Sequence, residues 1–140
     1  MRQGHLFTKR AGKVKQAVTP ESTIQESFFA WARMHEREFP ILKRIFAVPN
    51  GGYRHKATAV AMVKQGVRRG VLDICVPVPR NGFAGLWIEL KSEIGKLSSE
   101  QKEWIEFLES EGHCVHVLRS WRAAANVTIN YLNLPLKNIN

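Results

Sequence analysis

The sequence predicts an α/β domain in which helices cover both faces of a mixed β-sheet. Three observations predict it. Short apolar runs of β type (Ile45–Val48, Gly70–Val76, Gly85–Lys91 and Cys114–Leu118) alternate with longer segments of helical periodicity. The resulting order, α-β-α-β-β-α-β-α, puts strands side by side in the middle and one more after a crossover helix, which calls for mixed pairing. A hydrophobic content of 44% with charges interspersed over 140 residues fits one packed domain, between a basic arm (1–18) and a short tail (133–140).

Taken in order, residues 1 to 18 are basic and thinly apolar, and read either as an arm along phosphates or as a plain tail. Thr19-Pro20-Glu21 is a helix-start signal: a capping threonine, proline at the first helical position and an acid in the first turn. The helix is expected to run to about Glu38. Ile24, Phe28, Trp31 and His35 form its buried stripe, and Pro40 stops it. His35 is read as a packed or rim histidine before a ligand.

Ile45–Val48 is a strand, and Pro49-Asn50-Gly51-Gly52 after it is a sharp loop with Arg54, His55 and Lys56 gathered beside it. Residues 57 to 68 predict a second helix, apolar at Ala57, Val60, Ala61 and Val67, with Lys64, Arg68 and Arg69 facing outward. Ser98 and Gln101 fit a capping box that opens a third helix, apolar at Trp104, Ile105 and Leu108 and terminated by Gly112. Cys114–Leu118 is a strand, and Ser120 leads a last amphipathic helix to about Leu132.

The two central strands carry the chemistry. Asp73 opens the first, while Glu89 and Lys91 sit two apart in the second and so share a face, with Ile88 and Leu90 on the other. Charges in the middle of a core sheet must find partners or a metal. Two carboxylates on neighbouring strands with a lysine beside them can hold a divalent cation and position a water. The plainer alternative is a turn-capping Asp73 and a solvated sheet face.

Twenty-one basic against 12 acidic residues give a net charge of +9, which favours a polyanionic partner, nucleic acid before an anionic membrane. Cys75 and Cys114 lie among Ile and Val with no metal-site spacing, and read as buried thiols of a reducing compartment. With neither a signal peptide nor an uninterrupted apolar stretch long enough to span a bilayer, the expectation is a cytoplasmic protein with no membrane partner.

Gly70-Val71-Leu72-Asp73, then Glu89-Leu90-Lys91, then Gln101 resembles the PD-(D/E)xK nuclease superfamily. The run from about 19 to 132 resembles its virus-type replication-repair nuclease (VRR-NUC) branch. That run includes Gln25 and Trp31, Pro49-Asn50-Gly51-Gly52-x-Arg54, Lys64-x-Gly66 and Leu97-Ser98-x-x-Gln101-x-x-Trp104. Leu72 stands where the motif usually has proline. The resemblance implies a restriction-endonuclease-like core and a small standalone enzyme of phage or prophage type. It also implies a fold like that of archaeal Holliday-junction resolvases, often dimeric.

The resemblance also implies Mg²⁺ or Mn²⁺ as cofactor and catalytic roles for Asp73, Glu89, Lys91 and Gln101. An acid from the first helix completes the set, with Glu21 as the better match and Glu26 the rival. Asp73, Glu89 and the Leu90 carbonyl would bind the ion, with Glu21 joining directly or through a water. Asn50, Arg54, Lys64 and Arg68 are the candidates for phosphate contacts. The expected activity is endonucleolytic cleavage of duplex or branched DNA such as Holliday junctions by a homodimer. The competing class is a non-catalytic nucleic-acid adaptor with a buried Asp/Glu/Lys network.

Overall fold

The computed structural model describes residues 15–49 and 56–140. Most of the basic arm, together with Asn50 and Arg54, lies outside the described residues. The described chain forms helices α1 (Glu21–His35), α2 (Lys56–Lys64), α3 (Ser99–Ser110) and α4 (Trp121–Leu132). Its strands are β1 (Phe46–Ala47), β2 (Ile74–Val76), β3 (Leu86–Leu90) and β4 (Cys114–Leu118).

The strands form one sheet in the order β1-β2-β3-β4, antiparallel except for the β3–β4 pair. Ile74 faces Ile88 and Cys75 faces Trp87, while Glu89 lies level with Val117 across the parallel rung. This is the mixed, helix-flanked sheet expected, and it agrees with a restriction-endonuclease-like architecture.

One sheet face carries the core. Ile74, Val76, Leu86, Ile88 and Leu90 pack with Ile24, Phe28 and Trp31 of α1 and with Ala124, Ala125 and Ile129 of α4. Period-2 alternation puts Cys75, Trp87 and Glu89 on the opposite face. Cys75 is buried between Phe46 and Trp87 on the neighbouring strands, and burial pushes its thiol up to about 11. Both cysteines are free thiols.

Several element boundaries differ from expectation. α1 stops at His35, after which the chain turns into a short 3₁₀ helix at Pro40–Arg44. Thr19 does not cap α1: Pro20 holds the cap position with an extended backbone and no side-chain acceptor. His35 stacks on Trp31, 5.6 Å between ring centres, in the packing role expected of it. α2 ends at Lys64 because Gly66 turns the chain at φ +96°, and none of its residues is buried. Val60 and Val63 point to solvent at 50% and 60% exposure, so the apolar stripe expected there is not a core stripe.

Asp73 lies immediately before β2 and not inside it, although its carbonyl still accepts from the Val48 amide at 2.8 Å. α3 opens with the Ser98/Gln101 capping box as expected, but only Leu108 of its three apolar positions is buried.

Candidate active site

Glu89 projects from the second-last position of β3 and is 1% exposed; Lys91, one residue beyond the strand on the same face, is 7% exposed. An ionised carboxylate that deep requires partners. Lys91 Nζ lies 3.0 Å from Glu89 Oε1, and the Gln101 amide donates to the same oxygen at 2.5 Å. Glu89 Oε2 is buried and has no hydrogen-bond partner among the described residues.

Asp73 faces this pair from the entrance of β2. Its Oδ2 accepts from the Leu90 amide at 2.7 Å. Along β3 the backbone alternates between its two neighbours, since the Lys91 amide donates to Leu118 on the β4 side. The Leu90 carbonyl is thereby directed to the same edge as its N–H, toward Asp73. Glu21 enters from the first position of α1. Its Oε1 lies 3.6 Å from Lys91 Nζ and accepts a long 3.4 Å bond from the Ser92 amide. Glu26, the rival acid, is exposed along the wall of the neighbouring cleft.

Gln101 serves two structures at once. Its side-chain oxygen accepts from the Ser98 amide at 2.9 Å, closing the capping box, while its nitrogen holds Glu89. Gly70 makes this approach possible. It adopts φ +80°, and a Cβ there would stand 2.6 Å from the Glu100 backbone and 2.8 Å from the Gln101 backbone nitrogen.

The electrostatics follow from burial and crowding. Burial, then the nearby Asp73 charge, push the Glu89 carboxyl up to about 7 against the pull of Lys91. Burial likewise raises Asp73, opposed by the Leu90 amide and by Lys91. Burial alone would lower Lys91, but its hydrogen bond to Glu89 and the charges of Glu89, Glu21 and Asp73 outweigh it and hold the ammonium above the ordinary lysine range.

Glu21, Asp73, Glu89, Lys91 and Gln101 thus come together, as the sequence predicts. Lys64 and Arg68 are exposed around the end of α2. Arg69, which was not among the phosphate-contact candidates, lines a cavity of about 260 Å³ with Asp73, Glu89 and Gln101. Its position directly before Gly70 was the available signal. On the other side of Glu21 and Asp73 lies a larger cleft of about 980 Å³, walled by α1 residues including Gln25, Phe29 and Arg33.

Among the described residues no group of three or more His, Cys, Asp and Glu side chains forms a ready metal cage. A hard cation of the Mg²⁺ type needs less: one or two carboxylates, with waters and substrate phosphate filling the remaining positions. Asp73 and Glu89, with an orphaned carboxylate oxygen and a carbonyl on the same edge, fit that requirement.

A mixed sheet with an acid before one strand and a Glu-x-Lys pair at the end of the next defines a nuclease core of the PD-(D/E)xK type. The VRR-NUC domain profile matches residues 14–121. The chain belongs to the VRR-NUC family, and with it to a class of metal-dependent nucleases. A solved structure titled "VRR_NUC domain protein" is 25% identical, with a TM-score of 0.70 over 84% of this chain and 92% of its own. No curated protein matches the sequence. Among the described residues no helix is long and apolar enough to cross a membrane.

Proposed function

We propose that the chain is a Mg²⁺- or Mn²⁺-dependent endodeoxyribonuclease whose working groups are Glu21, Asp73, Glu89, Lys91 and Gln101. The observation that carries this reading is the Glu89 carboxylate: buried, fixed through one oxygen by Gln101 and Lys91, with the other oxygen beside Asp73 and without a partner among the described residues. A divalent ion in this position would polarise the phosphate and lower the pKa of a bound water. Asp73, Glu89 and the Leu90 carbonyl would hold it, with Glu21 in reach directly or through a water.

Lys91 has donors only, so its part is to orient the attacking water and offset negative charge that grows in the transition state. Gln101 fixes the Glu89 carboxylate. Arg69, Lys64 and Arg68, together with Asn50 and Arg54, would hold phosphates without reading bases.

One site of this kind cuts one strand. Cleavage of a duplex or a four-way junction therefore calls for two sites, which a two-fold homodimer supplies. Branched DNA such as a Holliday junction is the substrate we favour. The test is Asp73→Ala and Glu89→Ala on plasmid, flap and four-way-junction DNA with Mg²⁺ or Mn²⁺. Loss of cleavage by both supports the site, and unchanged cleavage by both removes it.

The buried Lys91–Glu89 pair, 3.0 Å apart, favours a second reading, a nucleic-acid adaptor whose Asp/Glu/Lys network is structural. Mn²⁺ calorimetry separates the two. The nuclease binds at least one ion and Glu89→Ala weakens it, whereas the adaptor gives no heat yet still binds DNA in a salt-sensitive way.

A further inference from the structure

Arg119 follows the last residue of β4 and turns back over the loop that leaves β3. Its Nη1 donates to the carbonyls of Ser92 at 2.5 Å and Gly95 at 2.9 Å, with Glu93 O at 3.4 Å. The Gly95 amide closes the same loop onto Ser92 O at 3.2 Å, so one guanidinium ties the whole turn from 92 to 95. Besides Lys91, this turn is what meets Glu21 among the described residues: the Ser92 amide donates to Glu21 Oε1, and Gly95 packs against it. A Cβ on Gly95 would stand 2.9 Å from Glu21 Oε1 and 3.3 Å from Lys91 Cδ. The rung is also tied to the catalytic lysine, because the Lys91 amide donates to Leu118 O, one residue before Arg119.

Glu21 is partly solvent-accessible, its side chain 43% exposed, and stands on a different element from the rest of the cluster. A carboxylate so placed keeps one orientation only if something rigid meets it. The Ser92–Gly95 turn is that surface; without Arg119 its Glu93 and Gly95 carbonyls would turn to water, while Ser92 O would keep the Gly95 amide.

Resting on the nuclease reading above, we propose that Arg119 is a positioning residue that clamps the Ser92–Gly95 turn and thereby sets the Glu21 carboxylate against Lys91. Arginine suits this part because its guanidinium is planar and stays charged at any working pH, so Nη1 keeps its donors toward the three carbonyls. Supporting residues of this kind typically change metal affinity or activity by about 10- to 100-fold when removed.

The experiment is a cycle of Arg119→Gln, Glu21→Gln and the double variant, assayed by single-turnover cleavage of the best DNA substrate. Amide hydrogen exchange is measured on the same proteins without metal. The expected result is a loss of about 10- to 100-fold in Arg119→Gln, and a double variant no slower than Glu21→Gln alone. In metal-free Arg119→Gln the Ser92 and Gly95 amides should exchange at least about 10-fold faster, with Ile88 in the sheet unchanged.

Multiplying losses in the double variant, or unaltered exchange at Ser92 and Gly95, would overturn the proposal. If Arg119→Gln does not fold, Gly95→Ala takes its place. It leaves the arginine intact but crowds Glu21, and it should show the same non-additivity with Glu21→Gln; additive losses there also overturn the proposal. Wild-type cleavage by Asp73→Ala would instead remove the nuclease site, while the metal-free exchange rates still judge the clamp.

Discussion

Glu89 and Lys91 share a strand face and a hydrogen bond, yet they should respond differently to substitution. Lys91→Met keeps most of the stem and removes the charge, so the fold and Mn²⁺ binding should survive while single-turnover cleavage falls by about 10²- to 10³-fold. Lost metal binding in a folded variant would instead make Lys91 an organiser of the carboxylates. Glu89 should show itself through pH. Its carboxyl stands near 7 in the fold against an ordinary 4.5, so over that interval the native state holds a proton that the unfolded chain has released. Stability in EDTA should therefore fall as pH rises from about 4.5 to 7, with Asp73 acting in the same direction. Thermal melts across that range should show the decline, and Glu89→Gln should flatten it. Divalent-ion binding should strengthen over the same interval, because the ligand must lose its proton first.

At the scale of elements, the sequence was most legible where two signals coincided. Cys114–Leu118 matches β4 residue for residue, and the Ser98/Gln101 box opens α3 where its spacing says it should. Glu89 and Lys91 fall on one face because alternation along a strand leaves no other choice. α2 was misjudged for a physical reason: alanines and valines at helical spacing do not say whether a neighbour exists to cover them, and here none does within the described fold. Arg119 was illegible for a different reason, since a surface arginine bonding to carbonyls on another loop has no sequence periodicity. Gly70 carried more than its place in a motif suggested. Gly70→Ala combines a left-handed backbone with a Cβ set against the first turn of α3, so it should cost at least about 2 kcal/mol in denaturant unfolding. Because that turn holds Gln101, cleavage by the fraction still folded should fall too; normal stability would show that α3 moves aside freely.

For the whole molecule, the proposal of paired cuts requires two chains. Sedimentation at micromolar concentration should give twice the 16.0 kDa chain mass, and a four-way junction should be cut faster than linear duplex. A monomer, or equal rates on both substrates, would remove the branched-DNA assignment and leave a nicking enzyme. With a net charge of +9, DNA binding should weaken steeply with salt whichever substrate is preferred. The short strand β1 gives the molecule one further property. Among the described residues Phe46 and Ala47 pair with Cys75 and Ile74 along that edge of the sheet, and Cys75 is buried with its thiol held at about 11. A thiolate-seeking reagent at neutral pH reaches a thiol so buried only when the structure around it opens locally. Its rate of alkylation is thus a built-in clock for how often the sheet breathes, and DNA seated in the cleft beside Ala47 and Val48 would slow it.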